Sequence, residues 1–319
     1  MTGSTCCANV RTNKRRSVRG LISALGIILI FYLAVFMSEE IGRYVKEGIA
    51  LALTRVIPTA LPFMLISDIF MALVSATEVP IIGRLSYLFG LPRASVGALI
   101  PGNACGFPLG GKLTGEMYRD GKLSREAAER LLAYSSNASP SFVIAAVGGG
   151  MLGNAKIGIM LLICIYLSTL ISAQFFRVDE DYSEKTQENI EQKYSFIDSV
   201  RSAGFACVSL SSFIITFSVV VGIIENHITY EPIKAFLISL TEVTGASNYF
   251  AMRLSTSPLS AIALIGFSLG FGGLSVLFQT AAFAANYRLS MRKYFEIKLL
   301  EGGCTALLSL LGYILFFVN

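Results

Sequence analysis

Ionisable side chains are scarce in this sequence: Asp, Glu, Lys and Arg make up only 15% of its 319 residues. A soluble domain of ordinary composition carries about 25% of these residues. Apolar side chains replace the missing charge, account for 54% of the chain and give a mean hydropathy of +0.64. This composition argues against a soluble protein and predicts an all-α integral membrane protein.

Groups that commonly carry chemistry are also few. The single histidine, His227, lies beside Glu225 in a short polar loop, and no Ser or Cys in an apolar segment has a histidine partner. P-loop, HExxH and GxSxG patterns are all missing. The six cysteines fit neither a metal site nor a disulfide framework. We therefore expect no enzyme activity, no catalytic residue, no metal and no cofactor. The net charge of +5 comes from loops and does not indicate a nucleic-acid partner.

Uncharged windows of about 20 residues, the length that a helix needs to cross a bilayer, recur along the chain. The basic segment 1–20 predicts a cytoplasmic tail before an uncleaved first helix. The run 254–287 is too long for one crossing and predicts a helical hairpin. The predicted crossings are 20–38, 48–67 (interrupted only by Arg55), 131–155, 157–176, 202–224 and 302–319.

Two parts of the chain follow one pattern on either side of a polar linker, residues 177–201. The segment "GFPLGGKLTGEMYRDGKLSREAAERLL" from Gly106 aligns with "GGLSVLFQTAAFAANYRLSMRKYFEIKLL" from Gly272. The alignment predicts membrane repeats at 21–152 and 153–319, each with three crossing helices and one re-entrant hairpin. An odd number of crossings inverts the second repeat, and inverted repeats with broken helices are typical of secondary transporters.

Basic residues set the expected orientation. The N-terminal tail and the cluster 112–130 lie on the cytoplasmic side in this topology. The basic residues expected on the outer side are mostly Arg288, Arg292, Lys293 and Lys298.

The stretch "PGNACGFPLGG", residues 101–111, interrupts an uncharged segment with two prolines and four glycines. Irregular backbone at membrane depth is tolerated only where protein or a watery cavity surrounds it. We therefore predict the tip of a re-entrant hairpin, whose free N–H groups favour an anion. The alternative is an ordinary surface loop. A second break, "SSNASPSF" at 135–142, either meets a ligand or is an interfacial helix cap.

The third break, "SLTEVTGASN" at 239–248, contains Glu242 after an apolar stretch. A carboxylate at membrane depth is usually functional. Glu242 is a candidate acceptor for a coupling cation or proton. Two alternatives stay open: its side chain only orders unwound backbone, or it lies at the membrane interface and touches water. A fourth break, "SLGFGGLS" at 268–275, is the predicted tip of the second hairpin. Lys112 is a candidate for attracting an anion. The predicted substrate-binding residues are Asn103, Gly106, Pro108, Gly110, Asn137, Ser139, Thr244, Gly245, Gly272 and Gly273.

These motifs resemble a known family of membrane proteins. "GFPLGGKL", "SSNASPSFVIAAVGGGML" and "LTEVTGAS" are similar to segments of the nucleoside-recognition (Gate) domain proteins, and within these to the YlbJ-type sporulation integral membrane proteins. The family's Asn-x-x-Pro-x-Phe break matches Asn137, Pro140 and Phe142, with Ser139 where a glycine is expected. The resemblance implies a fold like that of concentrative nucleoside carriers, with hairpins framing the substrate.

The resemblance also implies a substrate and a location. They are dipicolinic acid and the outer forespore membrane of a spore-forming bacterium. Two alternatives stay open: a nucleoside-type transporter, and a membrane subunit or scaffold that transports nothing. The expected partners are a small-molecule solute, the lipid bilayer and a candidate coupling cation.

Overall fold

The computed structural model describes residues 28, 32, 35–58, 61, 62, 64–66, 84–107, 109–177 and 196–318. The predicted tail 1–20, most of the first predicted crossing and Pro108 lie outside these residues. The described parts contain helices, turns and bends but no β-strand. The protein is therefore all-α over the part of the chain that the structure describes.

The chain divides into two compact units, Met1–Lys46 and Glu47–Asn319. In the first unit, Tyr32 and Phe36 bring their ring centroids within 4.4 Å. Helix α1 (Ser38–Leu51) begins in this unit with Glu39 and Glu40 in its first turn. Acidic side chains at a helix N-terminus stabilise it through the helix dipole.

The second unit holds the rest of the described helices. Its helical segments outside the main helices are the π-helical turns Ala52–Val56 and Phe142–Met151 and the short 3₁₀ turns Arg84–Phe89 and Arg93–Ser95. The polar linker ends earlier than predicted, because residues 196–201 already belong to a helix. The main helices are α2 (Val96–Cys105), α3 (Leu109–Arg119), α4 (Arg125–Tyr134), α5 (Ala155–Phe175), α6 (Phe196–His227), α7 (Glu231–Thr241), α8 (Val243–Ala251), α9 (Pro258–Phe271), α10 (Gly273–Asn286) and α11 (Arg292–Phe317).

Four segments among the described residues are long and apolar enough to cross a membrane. They are α5, α6, the combined segment Pro258–Asn286 and α11. Three of them agree with the predicted crossings 157–176, 202–224 and 302–319. The predicted crossing 131–155 is instead divided into α4 and the π-helical turn Phe142–Met151, with non-helical backbone at 136–139 between them.

Helices α2 and α3 form a helical hairpin, called hairpin one. Its tip contains Gly106, which has φ +79°, a conformation that glycine adopts without the steric cost that a Cβ brings. The Gly106 N–H donates to the Gly102 carbonyl over 2.8 Å and ends α2. The two arms approach so closely that a Cβ added to Gly102 would lie 2.9 Å from the Gly110 Cα. A helical hairpin therefore lies where the first re-entrant hairpin is predicted, and residues 101–105 in it are helical.

Helices α7 and α8 form hairpin two, with Glu242 at its tip in extended conformation. The arms lie side by side, because the Tyr249 hydroxyl on α8 donates to the Glu231 carboxylate on α7 over 3.4 Å. The second predicted hairpin, at 254–287, is therefore at the wrong place in the chain.

The segment Pro258–Asn286 instead runs in one direction past α11. Added Cβ atoms at Gly266 and Gly270 would meet Ser309 and Thr305, and further along the Thr280 hydroxyl lies 3.5 Å from the Tyr294 hydroxyl. As the chain advances from 266 to 280, the residues that it contacts on α11 therefore have steadily lower numbers. A reversal of the chain at Gly272 would not allow this. Helices α9 and α10 thus form one broken helix, called broken helix two. Broken helix one consists of α4 and the turn Phe142–Met151.

The two hairpins open towards opposite ends of the second unit. Just beyond hairpin one, Arg125 donates to the Arg288 carbonyl over 3.0 Å, and Glu126 pairs with Lys293. Hairpin one therefore opens at the end where α11 begins. Since α9 runs antiparallel to α11, Pro258 and the adjoining open end of hairpin two lie at the other end.

These contacts correct the predicted charge topology. The cluster 112–130 and the group Arg288–Lys293 were assigned to opposite faces of the membrane, but they meet at one end of the unit. The Ser290 N–H also donates to Glu129 over 2.9 Å. The error follows from treating 254–287 as a hairpin, because a hairpin returns the chain to the face that it left and a crossing does not.

Candidate functional site

The two hairpin tips and the two helix breaks surround one small cavity. Its volume is about 40 Å³, which gives room for a few water molecules, each needing about 10–15 Å³. A larger solute would require the four segments to move apart. The residues of these four segments that line the cavity are Cys105, Gly106 and Phe107 of hairpin one, Ala138, Ser139 and Phe142 of broken helix one, Glu242, Val243 and Thr244 of hairpin two, and Ser275, Val276 and Gln279 of broken helix two. The apolar side chains Val56 and Leu210 also line it.

Hairpin one and broken helix one contact each other through their backbones. A Cβ added at Gly106 would lie 2.7 Å from the Ser139 nitrogen and 3.2 Å from the Asn137 carbonyl oxygen. Any larger residue at position 106 would therefore strain its own backbone and displace segment 135–139.

Ser139 organises the point where broken helix one resumes. Its hydroxyl accepts a hydrogen bond from the Phe142 N–H over 3.3 Å and lies 3.1 Å from the Ser141 hydroxyl. Pro140 follows at a first-turn position, where its missing N–H costs nothing. Ser139 thus both lines the cavity and caps a helix, a role that a glycine at this position would not fill.

Glu242 is 2% exposed and acts as the N-cap of α8. Its carboxylate accepts hydrogen bonds from the N–H groups of Thr244 at 2.9 Å and Gly245 at 2.5 Å. The following residues, "VTGAS", are predicted to break the helix, but they are helical and Glu242 itself is unwound. The reason is local, since an acidic cap satisfies the N–H groups that a helix start leaves free.

Other predicted site residues lie next to the cavity without lining it. Gly110 has no space for a side chain, because a Cβ there would overlap the Ser135 carbonyl group. Gly272 and Gly273, with φ +85° and +77°, form the break in broken helix two, and Gly273 faces the Thr241 carbonyl. Gly245 is involved through its N–H bond to Glu242. Lys112 lies on α3 and is partly buried outside the cavity lining.

Asn103 and Asn137 are behind the cavity wall and contact each other. The Asn137 amide donates to the Asn103 side-chain oxygen over 2.8 Å and to the Thr169 hydroxyl over 3.2 Å. The Asn103 amide in turn donates to the Leu99 and Tyr134 carbonyls over 2.7 and 2.9 Å. Their polar groups therefore bind protein atoms, and the structure gives them a role in joining hairpin one to broken helix one.

Sequence reasoning missed an ion pair between Lys298 and Glu301 on α11. Their charged atoms are 2.7 Å apart, and both side chains are only 1% exposed. Lys298 also donates to the Asn137 side-chain oxygen over 2.6 Å, and Ser172 donates to Glu301 over 3.1 Å. The assignment of Lys298 to the outer surface was therefore wrong. The available signal was the opposite charges at i and i+3 inside the apolar segment "FEIKLLEGGC".

Ser275 and Gln279 are two further residues that the sequence analysis missed. They lie four positions apart on α10, and the Gln279 amide donates to the Ser275 hydroxyl over 3.4 Å. The Gln279 side-chain oxygen is buried without a hydrogen-bond partner in the described structure. A polar pair at helical spacing just after the glycine break was the signal for them.

One comparison with known proteins gives a relative. The chain is 24% identical to the sporulation integral membrane protein YlbJ of Bacillus subtilis over 303 aligned positions, which cover 81% of this chain and 74% of that protein. No family model matches the chain, and no solved structure matches it. The four apolar segments and this similarity identify an all-α integral membrane protein that is similar, over most of its length, to a sporulation integral membrane protein.

Proposed function

We propose that this protein transports a small polar or anionic solute across a membrane without converting it chemically. The observation that supports this is the meeting of two hairpin tips and two helix breaks around one cavity. Interrupted helices expose backbone N–H and C=O groups that can replace the hydration shell of a solute. A scaffold that transports nothing has no need for four interruptions at one place.

The order of the elements supports an inverted repeat in this proposal. Hairpin, broken helix and long helix occur as hairpin one, broken helix one and α5, and again as hairpin two, broken helix two and α11. The members of each pair run in opposite directions. With α1 and α6 as the preceding helices, each repeat has three crossings and one re-entrant hairpin, as in concentrative nucleoside carriers. The proposed boundary between the repeats moves from 152/153 to the segment between Arg177 and Phe196.

The proposed solute is dipicolinate, and the proposed location is the outer forespore membrane of a spore-forming bacterium, with a cytoplasmic N-terminus. The name of the Bacillus relative and the resemblance of the motifs support sporulation as the setting. The start of α10 supports an anion, since no side chain caps its first N–H groups beside Ser275.

An anion that binds in the cavity needs a positive charge to compensate its own charge. None of the lining residues that the structure describes is Lys, Arg or His, whereas Glu242 supplies a carboxylate. We therefore propose that dipicolinate enters together with a proton or another cation, and that Glu242 is the candidate acceptor. The cation partly offsets the repulsion between two negatively charged groups at close range.

The test uses purified protein in lipid vesicles that contain Tb³⁺, which becomes luminescent when it binds dipicolinate. Vesicles with the native protein should take up external dipicolinate faster than protein-free vesicles. Gly106→Val should abolish uptake, because Val at φ +79° is strained and displaces Ser139. The control is Gly303→Val on α11, where an added Cβ meets nothing within 4 Å.

The result separates the proposed function from its alternatives. Uptake of a radiolabelled nucleoside with no dipicolinate uptake would favour a nucleoside-type transporter. Uptake of neither solute by well-inserted protein would favour a non-transporting subunit. Full activity of Gly106→Val would contradict the role of the hairpin tip.

A further inference from the structure

The buried ion pair on α11 is connected to the cavity through one residue. Asn137 presents its main-chain carbonyl towards Gly106 at the cavity wall, while its side-chain oxygen accepts from Lys298 over 2.6 Å on the opposite side. Ser139, which lines the cavity, is two residues further along the same non-helical segment. A change at Lys298 therefore reaches the cavity wall through a single side chain.

The ion pair also determines how two amides are oriented. An ammonium group has hydrogen-bond donors and no acceptor, so Asn137 must turn its oxygen towards Lys298. Its amide nitrogen then faces the Asn103 oxygen at 2.8 Å. Asn103 consequently directs its own nitrogen to the Leu99 carbonyl of hairpin one and the Tyr134 carbonyl of broken helix one. One charge thus sets the direction of a chain of hydrogen bonds that joins these two elements.

Stability alone gives little reason for an ion pair at this position. Removing two charges from water is costly, and replacing a buried pair with apolar side chains of similar volume is often neutral or stabilising. Glu301 balances the charge of Lys298 and is held in turn by Ser172 on α5. The arrangement therefore provides a fixed positive charge at Asn137 without a net charge in the apolar interior.

We infer that Lys298 and Glu301 are positioning residues that hold segment 135–139 in its solute-binding geometry through Asn137. The part of this inference that concerns solute affinity rests on the proposed transport function. The effect on the local structure of segment 135–139 does not depend on which solute is transported.

The test is the double substitution Lys298→Met and Glu301→Leu, which removes both charges and leaves neither partner buried alone. Amide hydrogen exchange in 99–103 and 135–142 should become at least about tenfold faster, because Asn137 loses its fixed orientation. In Tb³⁺-loaded vesicles, the KM for dipicolinate should rise between about threefold and tenfold, the loss expected for one hydrogen bond, while the maximal rate changes little.

A matched control uses another buried polar pair between α5 and α11. The Ser168 and Thr305 hydroxyls lie 2.6 Å apart, and their other hydrogen bonds in the described part of the chain go to the Ile165 and Glu301 carbonyls, not to segment 135–139. The double substitution Ser168→Ala and Thr305→Val should leave exchange in 135–142 and the KM unchanged. Asn137→Ala should reproduce the faster exchange with the ion pair intact, and adding the Lys298 and Glu301 substitutions to it should have no further effect.

The outcomes are distinct. Native exchange in 135–142 in the charge-free variant would overturn the inference, and so would equal effects of the control pair. If the charge-free variant does not fold, slow exchange in Asn137→Ala overturns it and fast exchange supports it. Faster exchange in a protein that never transports dipicolinate, even in its native form, would refute dipicolinate as the solute and leave the positioning role standing.

Discussion

At the scale of single residues, the cavity depends on side chains that satisfy the backbone where helices are interrupted. Glu242 accepts from two N–H groups at the start of α8, and Ser139 accepts from one at the restart of broken helix one. Gly106 provides the close approach between the two elements. Glu242 and Ser139 thus replace hydrogen bonds that the backbone loses where a helix is interrupted. Gly106 leaves out a side chain for which there is no space.

Glu242→Gln tests the residue that combines a structural and a proposed coupling role. The amide has one oxygen for two N–H groups, so we expect stability to fall by about 1–2 kcal/mol. An amide cannot take up a proton near neutral pH, so dipicolinate uptake should also lose its dependence on external pH. Thermal unfolding in detergent measures the first effect, and vesicle uptake between acidic and neutral pH measures the second. A native pH profile in the variant would limit Glu242 to ordering the backbone.

At the scale of secondary-structure elements, glycines decide how closely the helices approach each other. Hairpin one meets broken helix one at Gly102 and Gly110, where an added Cβ on either would overlap the Ser135 carbonyl. Gly266 and Gly270 similarly bring α9 against Ser309 and Thr305 of α11. Small residues at four-residue spacing are a common means of packing helices in lipid, where van der Waals contact replaces the hydrophobic effect.

Two alanine substitutions on hairpin one should have opposite effects. Gly110→Ala pushes a methyl group into rigid backbone and should destabilise the protein by about 1–3 kcal/mol. Gly97→Ala places its methyl group 3.5 Å from the flexible Met117 side chain and should stabilise α2 by about 0.5–1 kcal/mol, because alanine loses less entropy than glycine in a helix. Thermal unfolding of both variants in one detergent makes the comparison. Equal effects would contradict the close packing at Ser135.

At the scale of the whole molecule, the direction in which each element runs decides which loops share a membrane face. Hydrogen bonds from Arg125 to Arg288 and from Ser290 to Glu129 place the end of hairpin one beside the start of α11. The antiparallel packing of α9 on α11 places the connection 252–257 at the other end. The proposed inverted repeat depends on these directions.

Single cysteines test the directions in a variant that lacks the native cysteines. Asp120→Cys and Arg292→Cys should react with a membrane-impermeant thiol reagent from the same side of the membrane, because both exposed positions lie at one end. Ser255→Cys should react only from the opposite side. Labelling of positions 120 and 292 from different sides would restore the original charge topology and contradict the crossing at Pro258–Asn286.

Much of the site was accessible from local sequence signals. The scarcity of charge identified a membrane protein, and glycine, proline and one carboxylate in apolar surroundings located all four interruptions near Gly106, Ser139, Glu242 and Gly272. These signals are local, because a proline, a glycine or a buried charge changes the cost of a regular helix wherever the chain goes next. The predicted breaks were longer than the interruptions in the structure, since residues on both sides of each interruption are helical.

Only the tertiary structure decided what each interruption does. Gly106 and Gly272 both have positive φ, +79° and +85°, but their ψ values are −165° and −15°, and the chain reverses at the first and continues at the second. Beyond the second break, α10 runs on along α11, where Thr280 meets Tyr294, rather than returning along α9. Burial of Lys298 likewise depends on Asn137, which is 161 positions away in the chain. Composition and local pattern set the class of protein and the places of interruption, whereas long-range packing set the chain directions, the second hairpin and the buried ion pair.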